Sequence, residues 1–316
     1  MRPSDAESRQ RDLKVRASWL YYVEGLTQEQ IAAQMRISRA KVVRLLFAAR
    51  SEGIVRIRID AEDAERVALE RALVARYGVT EAIVVPAPVD DDAGVAAAVG
   101  HAAGIYVHGE LRDGLSLAVG WGSTLTAMIR ALGRPALRGV SVISLLGGMT
   151  HSRTVNPAAV ARRLADLLKA ECYQLTAPLI VADEATRAAL WAERGLRELR
   201  ERARRADLAV VSVGDVSERA TLFREELVPR AQLASLRAAG AVGDVLCQFV
   251  DAEGRLVDHP VNRHALAVEL ADLRGVRRIV IASGGARKAE ALRAAMKALP
   301  GSALVTDHAA ATGLLA

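Results

Sequence analysis

Two periodicities divide the chain. Up to about residue 53, apolar positions recur three and four apart; beyond about Ala61, short aliphatic runs alternate with helical stretches. In the first section a helix is predicted from about Leu13 to Val23, with Val15, Leu20 and Val23 at core-compatible spacings and a stop at Gly25. Thr27 fits an N-cap, and Gln30, three residues on, completes a capping box. The second helix turns Ile31, Ala32 and Met35 inward, Arg36-Ile37 forms a turn, and Ser38 caps a third helix. On that helix Val42, Leu45, Leu46 and Ala49 make one apolar stripe, while Ala40, Lys41, Val43, Arg44 and Ala48 fall on the opposite side. After Gly53, "IVRIRI" alternates apolar and basic residues and reads as a short strand.

The rest of the chain reads as α/β. "AEDAERVALERALVARYG" is an amphipathic connecting helix that offers Val67, Leu73, Val74 and Tyr77 for packing. Strands are predicted at "EAIVVP", "LSLAVG", "VSVISLL", "APLIVA", "LAVVSVG", "RRIVIAS" and "SALVTD". Helical stretches separate most of them, which argues a largely parallel sheet covered on both faces. The expected organisation is a helical helix-turn-helix or winged domain over residues 1–58, then a large Rossmann-like domain over 59–316.

Charge sharpens this division. Residues 1–60 hold 12 Lys/Arg against 7 Asp/Glu, whereas the remainder holds 31 against 30. A basic front joined to a nearly neutral body directs only the front toward a polyanion. Small residues mixed with Lys and Arg suit a helix lying against base edges in a major groove, so Thr27, Gln28, Ser38, Arg39, Lys41, Val43 and Arg44 are the expected contacts to double-stranded DNA. The plainer alternative is a three-helix bundle with a wet charged face. Cys172 and Cys247 supply neither a disulfide framework nor a metal cluster. No apolar run approaches the roughly 20 residues of a membrane span. A cytoplasmic protein without membrane partner, metal or cofactor is expected.

Two strand-to-helix turns carry candidate chemistry. In "LAVGWGSTLTAMI", Gly120 and Gly122 let a ligand approach the backbone, and Ser123 and Thr124 open a helix whose start favours an anion. The third Gly of a dinucleotide fingerprint is missing, and no acidic residue follows in the next strand. In "RRIVIASGGARKAEALRAAM", Gly284 and Gly285 precede Lys288, a lysine near a helix start, which the macrodipole disfavours unless an anion sits there. Between them Asp244 follows Gly243 at a strand start, an acceptor suited to sugar hydroxyls. Each feature also has a structural reading: a tight turn, a solvated lysine, a turn-capping aspartate.

"YYVEGLTQEQIAAQMRISRAKVVRLLFAARSEGIVRIRI" resembles the N-terminal module of the SorC family of bacterial transcriptional regulators. "GWGSTL", "LLGG", "GAVGD", "VDAEGRLVDHPVNRHA", "IASGGARKAEAL" and "LVTDHAAATGLL" resemble, in order, the effector-binding domain of that family, whose fold is similar to sugar-phosphate isomerases and deaminases. The resemblance implies phosphate binding by Ser123, Thr124 and Lys288, hydroxyl recognition by Asp244, and a homo-oligomer, dimer or tetramer. Two positions depart from the family pattern near the DNA face, Arg36 for a usual Gly and Val43 for a usual Ser, and Leu146 replaces a residue that is often polar. The expected function is a DNA-binding regulator controlled by a small carbohydrate, phosphorylated or not. The competing reading is a phosphosugar isomerase-like enzyme with an accessory basic front, but no acid–base partner for Asp244 is evident. His101 and His108 share a helix face, and His151, His259 and His264 lie in polar, loop-like stretches.

Overall fold

The computed structural model describes residues 5–55, 61–88, 91–133, 135–151 and 156–316. The chain divides into two compact units, Met1–Asp63 and Ala64–Ala316.

The first unit contains α1 (Asp5–Tyr22), α2 (Gln28–Met35) and α3 (Arg39–Ser51). Both predicted caps form. The Thr27 amide donates to Gln30 Oε1 at 2.8 Å and the Gln30 amide donates to Thr27 Oγ1 at 3.3 Å, while Ser38 Oγ accepts from the Lys41 amide at 3.3 Å. Arg36 ends α2 at φ 55°, a left-handed conformation that glycine adopts without strain. Ala17, Leu20, Ile31, Val42, Leu45 and Leu46 make the core. Two expectations about α1 are corrected. It begins at Asp5 rather than near Leu13, and Val15 and Val23 are exposed. The inward set is Leu13, Ala17 and Leu20, a 4-then-3 spacing in which the small Ala17 replaces the bulky residues a hydrophobicity reading selects. The predicted strand "IVRIRI" falls mostly on residues 56–60, outside the described residues.

The second unit takes in α4 (Ala61–Tyr77) from Ala64 onward, a helix that buries Leu73 and part of Tyr77 but leaves Val67 and Val74 exposed, contrary to expectation. Its strands are β1 (Glu81–Val85), β2 (Ser116–Val119), β3 (Ser141–Gly148), β4 (Glu171–Pro178), β5 (Leu208–Val211), β6 (Val213–Asp215), β7 (Gly243–Val245), β8 (Gln248–Val250), β9 (Arg278–Ala282) and β10 (Ala303–Asp307). Seven form one sheet in the order β1-β10-β9-β5-β2-β3-β4, with every neighbouring pair parallel. β5 and β10 are buried along their whole length, as a parallel sheet covered on both faces requires. The connecting helices are α5 (Asp92–Glu110), α6 (Ser123–Ala131), α7 (Pro157–Leu168), α8 (Glu184–Ala192) and α9 (Arg194–Arg204), followed by shorter ones and by Ala289–Ala298 and His308–Leu315.

Two strand predictions need revision. Only the first two residues of "APLIVA", Ala177 and Pro178, are in a strand, and beyond them only Leu179 and Val181 are buried. Most of that strand lies before the segment, at β4, whose polar Glu171, Gln174 and Thr176 suit a sheet edge and break the apolar run by which a strand is recognised. "LAVVSVG" breaks at Ser212: β5 stays in the parallel sheet, and β6 joins β7 and β8 in a small antiparallel sheet that the hydrophobic pattern does not predict. His259 and His264 bound a short helix instead of lying in loops, and His259 is buried as the cap of that helix. Among the described residues, no helix is long and apolar enough to cross a membrane.

α5 and α6 pack at unusually close range. A Cβ on Gly100 would come within 2.5 Å of the Thr124 carbonyl, and one on Gly104 within 2.7 Å of Ala131 Cβ. Glycine is therefore required at both positions, and the contact fixes where α6 begins.

Candidate functional site

The central strands β2, β5 and β9 end at one place. Their connections run outward in opposite directions along the sheet, so a crevice opens at their carboxyl ends, the location where open α/β sheets bind ligands. A cavity of about 160 Å³ lies there.

The β2–α6 turn supplies Gly122, Ser123 and Thr124 to its wall. Gly122 has φ 120° and ψ 169°, a region open essentially to glycine alone, and a Cβ there would sit 2.9 Å from Ser212 Oγ. Because Gly122 brings no side-chain cap, the first amides of α6 have no side-chain acceptor at that end. Ser123 is exposed and Thr124 buried. Gly120 does not border the cavity. It packs behind the turn, where a Cβ would meet Leu246 Cδ2 at 3.0 Å.

The β9 turn supplies Gly284 and Lys288. A Cβ on Gly284 would lie 2.4 Å from Asp307 Oδ1, so only glycine allows the buried Asp307 to accept from the Gly285 amide and cap the last helix. Gly285, at φ 99°, makes the bend without lining the cavity. Lys288 ends a 3-10 turn, Ala286–Lys288, and its Nζ donates to Ser283 Oγ at 3.4 Å. Burial lowers its pKa, opposed by the nearby carboxylates Asp215, Asp244 and Asp92.

Asp244 comes from β7. Only 5% exposed, it accepts from the Cys247 amide at 3.1 Å. Desolvation raises its pKa to about 7, against the lowering pull of that hydrogen bond and of Lys288. Gly214, opposite it on β6, makes room: a Cβ there would lie 2.1 Å from Asp244 Oδ1. The β7–β8 turn places Leu246 and Cys247 at φ 55° and 59°. Two consecutive non-glycine residues with positive φ cost roughly 1–2 kcal/mol each, and the strained turn aims the Cys247 amide at Asp244.

Six of the eight expected residues thus meet at one cavity: Gly122, Ser123, Thr124, Asp244, Gly284 and Lys288. Sequence reading missed Asp92, Ser212, Asp215, Arg219, Arg224 and Arg287, which line it too. Arg287 joins Asp215 Oδ2 at 2.8 Å to Asp92 at 2.7 Å. Two signals were available: Arg287 precedes Lys288 in the same turn, and Gly214-Asp215 repeats the Gly-Asp pair of 243–244. Leu146 is buried away from the cavity, its carbonyl accepting from Ser144 Oγ. None of His101, His108, His151, His259 and His264 lines it.

In the first unit α3 exposes Arg39, Lys41, Val43 and Arg44, together with Ala40, opposite its buried stripe. Thr27 is also exposed, Gln28 partly buried and Ser38 exposed. Phe47, 75% exposed and one turn beyond Val43 and Arg44, extends this face; its large apolar ring interrupts the polar pattern by which such a face is read from sequence.

The Sugar-bind family, described as a sugar-binding domain, matches residues 62–316. The deoxyribonucleoside regulator of Bacillus subtilis is 31% identical over 312 residues, covering 98% of this chain and 99% of that protein. The erythritol catabolism regulatory protein EryD of Brucella abortus is 30% identical, with 96% of each chain covered. The crystal structure of the full-length sorbitol operon regulator SorC from Klebsiella pneumoniae superposes with a TM-score of 0.73 at 25% identity, covering 98% of this chain and 100% of that one.

Proposed function

Since the chain belongs to the SorC family of transcriptional regulators, we propose that the cavity at the ends of β2, β5 and β9 is its effector site and that the effector is a phosphorylated sugar or polyol. The family relationship makes the chain a regulator and sets aside the isomerase reading.

The observation that carries the site assignment is the convergence of two glycine turns, distant in sequence, and Asp244 on one small cavity. Each part has a chemical task. The start of α6, with Ser123 and Thr124, offers amides and hydroxyls to phosphate oxygens, and Lys288 offers the countercharge. Asp244 receives a hydroxyl of the carbon chain. Erythritol and sorbitol, the polyols in the names of two relatives, carry the hydroxyl-bearing carbon chain of such a ligand.

On this reading residues 1–58 form the DNA-binding domain and 59–316 the effector and oligomerisation domain. Thr27, Gln28, Ser38, Arg39, Lys41, Val43 and Arg44 face operator DNA. One three-helix module buries too little DNA surface for genomic specificity, so the protein acts in the cytoplasm as a homo-oligomer, a dimer or tetramer, on paired half-sites. Effector binding favours one arrangement of the large domain and thereby shifts operator affinity.

A thermal-shift screen of phosphorylated and free sugars, run beside a turnover assay and light scattering, tests this. Stabilisation by a phosphorylated compound, without turnover and in an oligomer, is expected. A ligand without an anionic group would refute the phosphate assignment, and a monomer both free and on DNA would refute the half-site model.

A further inference from the structure

Among the described residues that line the cavity, Asp215 alone has a fully buried side-chain atom without a hydrogen-bond partner. It lies at the end of β6, 6% exposed, beside the strand that carries Asp244. Its Oδ2 is fully engaged, accepting from Arg287 Nη1 and from Ser217 Oγ, both at 2.8 Å. Its Oδ1 is buried and has no hydrogen-bond partner among the described residues. Other buried side-chain atoms lack partners too, but none of them belongs to a residue lining this cavity. A buried carboxylate oxygen without a donor is unfavourable, and native structures rarely tolerate one unless something else supplies the hydrogen bond.

The surroundings restrict what that something is. Arg287 holds the carboxylate from one side and is itself held by Asp92, so Asp215 is not free to turn toward solvent. A phosphate brings only acceptors at its ionised oxygens and adds negative charge to a carboxylate; it belongs with Lys288 and the start of α6. A hydroxyl is a neutral donor and suits Oδ1.

We propose that Asp215 is a second hydroxyl-recognising carboxylate of this site, so that the effector is a phosphorylated polyhydroxy compound that gives one hydroxyl to Asp244 and another to Asp215. This deepens the effector-site reading above and rests on it. It also makes hydroxyl number a determinant of specificity: a deoxy analogue leaves one buried carboxylate oxygen unpaired and binds more weakly than its parent.

Asp215→Asn separates the two parts of the ligand. The amide oxygen stays with Arg287 and Ser217, and an NH2 group replaces Oδ1. Calorimetric titration of the full-length wild type, Asp215→Asn and Asp215→Ser would use inorganic phosphate, ribose 5-phosphate, 2-deoxyribose 5-phosphate and erythritol 4-phosphate, with free ribose and erythritol. Inorganic phosphate is expected to bind both variants as tightly as wild type or more so, because a negative charge near Lys288 is gone; this also reports an intact fold. The tightest-binding organic phosphate is expected to lose at least about tenfold in both, the scale of one hydrogen bond to a charged group. An equal change for inorganic and organic phosphates would assign Asp215 a structural role and overturn the proposal, as would organic phosphates that bind wild type no tighter than inorganic phosphate. Wild type that ignores every phosphate but binds a free polyol overturns the phosphate reading alone; Asp215 then stands if Asp215→Asn loses that polyol and falls if it does not.

Discussion

Replacing Asp244 by Asn should remove a pH dependence of stability that this one side chain creates. Burial of the carboxyl raises its pKa from the ordinary 3.8 to about 7 in the folded chain. A group whose folded pKa exceeds its unfolded value binds more protons in the native state. Its stabilisation is therefore complete below about pH 3.8 and is lost as the pH rises through 7. A rise from 3.8 to about 7 corresponds to about 4 kcal/mol in total, of which about 2–3 kcal/mol is lost between pH 5 and pH 8. Lys288, its pKa lowered by burial, acts in the opposite sense as it deprotonates, so the two proteins must be compared at each pH. Asn has the same shape and keeps an oxygen for the Cys247 amide, but it does not ionise. Urea denaturation of wild type and Asp244→Asn in the absence of ligand, at pH 5, 6, 7 and 8, measures the difference. The advantage of Asn should grow by about 2–3 kcal/mol across this range. Parallel pH profiles for the two proteins would show that Asp244 stays ionised throughout, and the desolvation argument would fail.

Three further perturbations separate the remaining roles. Lys288→Ala should weaken binding of a phosphorylated effector by about 10- to 150-fold, the equivalent of about 1.5–3 kcal/mol for a hydrogen bond to a charged group, and unchanged affinity in calorimetry would remove Lys288 from the site. Gly122→Ala should destabilise the large unit by about 1–3 kcal/mol in urea melts, because alanine is strained at φ 120° and its Cβ meets Ser212 Oγ; a neutral substitution would mean the turn relaxes freely. On selected operator DNA, Arg44→Ala should cost about 1–3 kcal/mol if the side chain reads a base, while Lys41→Ala should lower affinity for all sequences and reduce the salt slope by about 1. Gel shifts at several salt concentrations in which both variants match wild type would move the DNA interface away from α3.

Local chemistry made some elements legible and hid others. The Thr27–Gln30 box and the Ser38 cap join residues three apart, and both form as their spacing dictates. Fully buried strands such as β5 and β10 announce themselves as aliphatic runs because neither face meets water. β4 does not, since a strand at the sheet edge carries Glu171, Gln174 and Thr176 without penalty. In α1 the inward side depends on the small Ala17, which no hydrophobicity scale ranks above Val15.

The same distinction governs the site. Gly122, Ser123, Thr124, Gly284 and Lys288 were visible because a strand, a glycine turn and a helix start are contiguous in the chain, and their backbone geometry follows from adjacent residues. Gly120 and Gly285 belong to those same turns, yet whether they touch the cavity or buttress it depends on Leu246 and Asp307, which arrive from elsewhere. The pairing of Arg287 with Asp92 and Asp215, the space that Gly214 leaves for Asp244, and the burial that raises the pKa of Asp244 all join segments far apart along the chain. The sequence by itself determined which glycine turns open onto a helix start. Only the tertiary structure decided which carboxylates and cations line the cavity those turns border, because burial and charge neighbours are properties of packed elements rather than of the order of residues.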